Sequence, residues 1–264
     1  MNFTNKVIWI TGASSGIGKA LAIELSKHNT KLILSARNES KLIEVKNACN
    51  NSNQVLVLPL DLGGIESFNS KIKEVISSFG KIDVLVNNGG ISQRSLAKDT
   101  SISVDKQIMN INYIGTVALT KAVLAHFIEN KKGQFVVTTS IVGKIGTPLR
   151  SSYAASKHAL HGFFDSLRAE NHVNNIAVTL ICPGFVKTNV SVNALTGDGS
   201  PQNKMDLATQ NGISPDRFAK IMVKAIYKKK EEVYIAGAKE KLGVYVKRFF
   251  PRLLSTMIRK LSVT

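Results

Sequence analysis

Tyr153 and Lys157 stand four residues apart in Ser151-Ser-Tyr-Ala-Ala-Ser-Lys157. On a helix this spacing puts both side chains on one face, a turn apart. A phenol is a poor acid, with an ordinary pKa of about 10. A neighbouring ammonium favours the phenolate and pulls that value down. Reaching about 7 takes roughly 4 kcal/mol of differential interaction. Such a pair could exchange a proton near neutral pH, as general acid–base chemistry requires. Taken alone, the two residues fit the solvated face of an amphipathic helix better than a reaction centre, so the reading depends on what accompanies them.

A second constellation lies near the N-terminus. Lys6-Val-Ile-Trp-Ile10 is a short apolar run and reads as a buried strand. Thr11-Gly-Ala-Ser-Ser-Gly-Ile-Gly18 follows at once, and an amphipathic stretch over 19–28 reads as a helix. A strand, a glycine-rich turn and a helix start are the context that a dinucleotide phosphate site needs. Gly12 allows the tight turn, Gly16 lets the backbone approach a pyrophosphate, and Gly18 lets the helix pack on the sheet. Free N–H groups at the helix start, those of Ser14, Ser15 and Ile17 among them, face the anion, and the helix dipole adds to the attraction.

The rest of the chain supplies elements that could bring the two together. Strand-like runs fall at 6–11, 31–36, 54–60, 82–87, 134–140, 176–183 and 232–236. Most are continuous Val/Ile/Leu runs, as in strands covered on both faces. Helical stretches lie between them at 16–28, 39–50, 64–79, 103–129, 152–174 and 215–230. Right-handed crossovers then predict a single α/β domain over 1–238, a Rossmann-type doubly wound parallel sheet of about seven strands with helices on both faces. A chain of 264 residues with 44% hydrophobic content can bury one such core.

The order of these motifs resembles that of the short-chain dehydrogenase/reductase family, in the subgroup with T-G-x-x-x-G-x-G and Y-x-x-x-K. The likeness extends to about Gly237. It takes in Asp61 after the third strand, Asn87-Asn-Gly-Gly90 after the fourth, Asn112 in a long helix, Ser140 after the fifth, and Pro183-Gly-Phe-Val-Lys-Thr188 after the sixth. Asn88-Gly-Gly-Ile-Ser-Gln-Arg-Ser95, Tyr153-Ala-Ala-Ser-Lys-His-Ala-Leu160 and Asn193-Ala-Leu-Thr-Gly-Asp198 look most like the dehydrogenase/reductase member 7 branch, retinoid- and steroid-type reductases often associated with membranes.

The resemblance implies hydride transfer between a nicotinamide and a carbonyl or secondary alcohol. Tyr153 is then the proton donor and acceptor, Lys157 lowers its pKa and bonds the nicotinamide ribose, and Ser140 stabilises the developing charge. Asn112 holds a water that links Lys157 to solvent. Asp61, with Leu62 beside it, meets the adenine, although Asp61 also fits a plain helix cap. Asn87 and Gly89 lie near the adenosine ribose, with Asn87 bracing the central strand. Pro183 and Gly184 turn the chain beneath the nicotinamide, and Val186 and Thr188 meet its carboxamide. Arg37 ends the second strand where an acid would favour NAD and an arginine accommodates a 2′-phosphate, so NADP(H) is expected over NAD(H). Ser14, Ser15 and Ser35 are candidate donors beside it.

Other features bound the substrate and the setting. The segment 189–213 holds small polar residues and glycines and reads as a substrate lid. Ile141, Val142, Leu149, Phe185 and Val190, with Ser140 and Tyr153, are candidates for an apolar wall suited to a lipophilic carbonyl; for Ile141 and Val142 a core role is an equal rival. His158 and His161 have helical ligand spacing, but no Cys/His/Asp set at a recognised spacing goes with them, so no metal is expected. Two cysteines far apart in sequence give no disulfide framework, and Cys182 reads as a small core residue. No signal peptide and no apolar run of about 20 residues is evident, so a cytoplasmic protein is expected.

The net charge is +17, and 220–264 carries twelve Lys/Arg against three Glu. The basic amphipathic segment 239–264, kinked at Pro251, suits an anionic membrane surface or packing on the domain or a partner. Nothing supports nucleic acid. Relatives are usually homodimers or homotetramers through the helices around Asn112 and Tyr153. The second reading that stays open is a cofactor-binding scaffold working through its basic tail.

Overall fold

The computed structural model describes residue 1 and residues 3–259. Seven parallel strands form one sheet: β1 Val7–Thr11, β2 Lys31–Ser35, β3 Val55–Val57, β4 Val84–Asn87, β5 Gly133–Thr138, β6 Ile176–Pro183 and β7 Glu232–Ile235, in the order β3-β2-β1-β4-β5-β6-β7. Successive side chains of a strand point to opposite faces. In β1, Ile8 and Ile10 accordingly enter one core and Val7 and Trp9 the other. That double coverage is why the strands read as unbroken apolar runs.

Helices fill both faces: α1 Gly16–Ser26, α2 Glu39–Asn47, α3 Phe68–Phe79, α4 Ile102–Met109, α5 Thr116–Glu129, α6 Ser151–Glu170, a short α7 Leu207–Gln210, and α8 Pro215–Tyr227. Phe135, Phe127 and Phe164 form the aromatic centre of one core, with centroids 4.8 and 6.4 Å from Phe135. The β1 to β4 crossover reverses the sheet's direction of growth, so a crevice opens beyond the carboxyl ends of those strands.

Three details depart from the sequence expectations. The helix expected over 103–129 is broken by a π-helical turn at Asn110–Gly115. The turn contains Asn112, which is fully buried, and Gly115, where a Cβ would come within 2.1 Å of the Leu62 carbonyl oxygen. Such wide turns recur where a side chain must be aimed. The same run, Ile102–Glu129, has the length and composition of a membrane span, with a mean hydropathy of 1.3 in its most apolar window. Leu119, Val123 and Phe127 are nevertheless spent in the core of the domain. Third, Pro251 does more than kink the tail: it starts a separate helix, α10 Pro251–Ile258, after α9 Ala238–Phe249. Leu254 packs with Ile141, Ile145 and Cys182, joined by Val244, Val246 and Ile258. Leu261 and the rest of 260–264 lie outside the described residues.

Phe135 is fully buried between its two aromatic neighbours. Phe135→Ala is expected to cost about 3–5 kcal/mol of stability. Urea denaturation measures this; a loss below about 1 kcal/mol would show that the aromatic centre can collapse around the void.

Candidate active site

The glycine turn sits between β1 and α1, and close contacts dictate its residues. Gly12 and Gly16 have φ of 63° and 53°, in the left-handed region. A Cβ on Gly18 would lie 2.2 Å from the Gly12 carbonyl oxygen, and one on Gly16 3.1 Å from the Thr188 methyl. No side chain caps the first turn of α1, whose N-cap is the exposed Ser15. Its N–H groups therefore face the crevice, a seat fit for a phosphate.

A hydrogen-bonded seam ties this turn to the neighbouring strands. Thr11 Oγ1 accepts from the N–H groups of Asn88 and Gly89, both at 3.0 Å. The Asn88 amide donates to the carbonyls of Thr11 and Gly12 at 3.1 and 3.3 Å, and accepts from Thr138 Oγ1 at 3.2 Å. Strand bracing, assigned in sequence to Asn87, is thus the work of Asn88. Asn87 turns to α5, donating to Thr120 Oγ1 at 2.9 Å, and its Oδ1 is buried without a partner among the described residues.

The other expected cofactor residues line the same edge. Arg37 is exposed just after β2, and no acidic side chain precedes it there. Ser35 does not join it: its hydroxyl is fully buried and accepts from the Trp9 indole N–H at 2.8 Å. Asp61 is exposed, and its Oδ1 accepts from Gly63 N at 3.0 Å, so it also closes the turn before α3. Leu62 lies against Gly89. Val186 is buried after β6, with Pro183, Gly184 and Thr188 around it.

Tyr153 and Lys157 share a face of α6 beside this edge. Burial pushes the Tyr153 phenol above the ordinary tyrosine value, opposed first by a hydrogen bond with Ser140, then by the charges of Arg150 and Arg94. Ser140, after β5, also accepts from Val142 N at 3.1 Å. Lys157 Nζ donates to the Thr138 carbonyl at 2.9 Å and sits 5.7 Å from the Tyr153 ring centroid. Burial lowers the Lys157 pKa to about 8. Asn112 clamps the site: its Oδ1 accepts from Ile91 N at 2.8 Å, and its amide donates to Ile91 O at 2.9 Å and Ser156 Oγ at 3.1 Å.

Sequence reasoning missed several residues that position Tyr153. Gln93 Oε1 accepts from the N–H groups of Ser152 and Tyr153 at 2.9 and 3.3 Å, so a buried side chain from the β4 loop caps α6. Arg94 and Arg150 both reach Asp206, and all three are buried. Their only cue was that Gln93 and Arg94 fall within the Asn88–Ser95 stretch already marked by resemblance.

The expected apolar wall is uneven. Leu149, with φ of 66°, and Phe185 are half-buried near Arg150, whose guanidinium lies 5.7 Å from the Phe185 ring. Val142 is half-buried and Val190 42% exposed. Ile141 instead joins the cluster beneath α10. The lid-like segment is strapped to the β4 loop: Leu195 N donates to Ser92 O at 2.9 Å, and Arg94 N to Leu195 O at 2.8 Å. The two histidines part company, for His158 is exposed and bonds the Ala154 carbonyl while His161 Nε2 faces Cys182 Sγ at 3.9 Å. Burial pushes that thiol up to about 12, which keeps it inert.

This geometry has counterparts in known proteins. A family model described as short chain dehydrogenase matches residues 6–198. The chain is 41% identical over 259 residues to dehydrogenase/reductase SDR family member 7B of Xenopus laevis, covering 96% of this chain and 80% of that protein. It is 43% identical over 254 residues to the human dehydrogenase/reductase SDR family member 7, covering 94% and 75%. Among solved structures, a short chain dehydrogenase/reductase from Burkholderia phymatum in complex with NAD superposes with a TM-score of 0.83 at 22% identity, over 96% of each chain. The chain therefore belongs to the short-chain dehydrogenase/reductase family, a family of oxidoreductases.

Proposed function

We propose that the chain transfers a hydride between NADP(H) and a lipophilic carbonyl or secondary alcohol, with Tyr153 as general acid and base. The observation that carries this reading is the half-buried Tyr153, with Lys157 Nζ 5.7 Å from its ring centroid, on the helix beside the strand edge that also bears the glycine turn. Main-chain N–H groups from Ser14 to Gly18 would hold the pyrophosphate, Arg37 the 2′-phosphate, Asp61 and Leu62 the adenine, and Asn87 and Gly89 the adenosine ribose. Lys157 would take the nicotinamide ribose, and Pro183, Gly184, Val186 and Thr188 the nicotinamide. Bound there, the cofactor supplies the hydride to the carbonyl carbon or accepts it from the alcohol.

The chain's own residues handle the proton. In reduction the Tyr153 hydroxyl gives its proton to the substrate oxygen as negative charge develops there, and Ser140 donates a hydrogen bond to the same atom. A Cβ on Gly90 would lie 3.0 Å from Asn112 Oδ1 and 3.7 Å from Lys157 Nζ, so these two groups flank one point through which the proton is replaced. Leu149, Phe185, Val142 and Val190 favour a retinoid- or steroid-like substrate over a small polar one.

The surface supports two further expectations. Leu242, Tyr245 and Phe249 of α9, Phe250 at the junction, and Leu253 and Met257 of α10 are each at least 48% exposed. Lys239, Lys241, Lys247, Arg248 and Arg252 accompany them, which suits an anionic membrane surface. Ile102, Ile114 and Ile128 are exposed along the α4–α5 face, which suits a homo-oligomer through those helices.

Tyr153→Phe is expected to lower kcat for a lipophilic ketone by about a hundredfold or more with NADPH binding intact; near-normal turnover would remove the general acid. Charge-assisted hydrogen bonds contribute about 1.5–3 kcal/mol. NADPH should therefore exceed NADH in kcat/KM by about tenfold or more, and Arg37→Asp should narrow the gap; an enzyme faster with NADH would overturn the cofactor assignment. Vesicle flotation should retain the protein on anionic but not neutral lipid, less so in high salt. Reversing Lys247, Arg248 and Arg252 to Glu should release it, whereas unchanged flotation would count against a membrane-facing tail.

A further inference from the structure

Glu240 stands in the first turn of α9, and its carboxylate has two partners. One oxygen turns back to the N–H of Gly237, the N-cap of the helix. That is the ordinary duty of a glutamate at this position, and it closes the helix start on itself. The other oxygen leaves the helix: Oε1 accepts from the Phe185 N–H at 3.0 Å, 55 positions away in the chain. Both partners are main-chain donors, and an ionised carboxylate makes such bonds short and strong.

The surroundings admit this reach. A Cβ on Gly184 would lie 2.6 Å from Glu240 Oε1 and 2.7 Å from the Ala236 methyl. Gly184 is not among the residues with positive φ, so the glycine supplies room for the carboxylate rather than an unusual turn. The helix itself has a firm seat. Val244 and Val246 pack with Ile141, Ile145 and Cys182, and a Cβ on Gly243 would lie 3.2 Å from Ile145. Phe185 is held at its carbonyl as well, which accepts from Ile213 N at 2.9 Å. With both main-chain groups engaged by other elements, the residue has little freedom, and its ring lies 5.7 Å from the Arg150 guanidinium.

We propose that Glu240 is a positioning residue that sets the place of the Phe185 ring, and with it the preference for bulky apolar substrates. The proposal rests on Phe185 as part of the substrate wall. A helix cap needs only the bond to Gly237. The bond to Phe185 adds nothing to α9 and bears on the turn after β6. An aromatic ring contributes through the apolar area it covers, so a steroid-sized ketone depends on where the ring stands, and a small ketone touches little of it. Glu240 acts through the ring, so its loss should show in the KM of a bulky substrate rather than in kcat.

The test compares a steroidal ketone with cyclopentanone at saturating NADPH. Glu240→Ala is expected to raise the KM of the steroidal ketone about tenfold, with its kcat and the KM of cyclopentanone moving by less than about threefold. Phe185→Ala should raise the same KM by a similar factor. Adding Glu240→Ala to Phe185→Ala should then change that KM by less than about twofold, because the ring it positions is gone. A loss of equal size in both backgrounds, or for both ketones, is what a mere helix cap gives and would overturn the proposal. Phe185→Ala without effect, or a parent enzyme inactive on the steroidal ketone, would remove the substrate wall and the proposal with it. An effect of Phe185→Ala with none of Glu240→Ala would remove the positioning role alone. Should Glu240→Ala not fold, hydrogen exchange in the unaltered protein decides. The Phe185 amide is expected to exchange at least about a hundredfold more slowly than an unbonded amide, and exchange at the unbonded rate would overturn the proposal.

Discussion

The seam of hydrogen bonds joining Thr11, Asn88 and Thr138 fixes everything that happens at the strand edge. These residues end β1, follow β4 and end β5, three neighbours in the sheet. Parallel strands bring all their carboxyl ends to one side, but without the seam the loops beyond them would be free to part. Thr11 Oγ1 and the Asn88 amide lock the glycine turn against the β4 loop. The Thr138 carbonyl then receives Lys157 Nζ at 2.9 Å, which aligns α6 to the same reference. The glycine turn and α6, with Tyr153 on it, are thus set relative to each other by main-chain and short side-chain bonds, which leave little freedom.

What the seam positions, burial makes costly. A phenol removed from water resists ionisation, and a buried lysine resists protonation. Both effects appear here, with Tyr153 displaced upward and Lys157 downward to about 8. The two values, nearly equal in water, move apart, so the phenol holds its proton more firmly than the ammonium does. The upward shift of the phenol is opposed by the Ser140 hydroxyl and by the charges of Arg150, at the start of α6, and Arg94, in the β4 loop. Gln93 adds mechanical control, since its carbonyl oxygen holds the N–H of Tyr153 itself.

The sequence made the architecture legible because its signals were local and redundant. Seven strand-like runs, most of them continuously apolar, and a glycine turn at a strand–helix junction admit few arrangements. Boundaries were less legible: α2 ends at Asn47 rather than near 50, and β3 spans only Val55–Val57. Strand ends at a sheet edge depend on which partners continue the ladder, and no single run encodes that. The same limit hid the Arg94–Asp206–Arg150 cluster. Arg94 and Asp206 are 112 positions apart, and neither has a spacing that marks it. Ser35 misled for a related reason, because strand position alone did not say that Trp9 would claim its hydroxyl.

The C-terminal helices are part of this arrangement rather than an appendage. Glu240 of α9 accepts from the Phe185 N–H through Oε1 at 3.0 Å, and its other oxygen accepts from Gly237. Phe185 in turn lies under the Arg150 guanidinium. A displacement of α9 would therefore reach the candidate substrate wall through one carboxylate, and Arg150 through one aromatic ring. The apolar residues of these helices divide between the two sides, Val244, Val246, Leu254 and Ile258 inward, Leu242, Phe249 and Phe250 outward. A helix pair apolar on both sides must find an outer neighbour or expose that area to water, at about 25 cal/mol for each Å². The surface chemistry of the tail and the chemistry of the crevice thus share a mechanical link, through side chains whose positions are fixed at both ends.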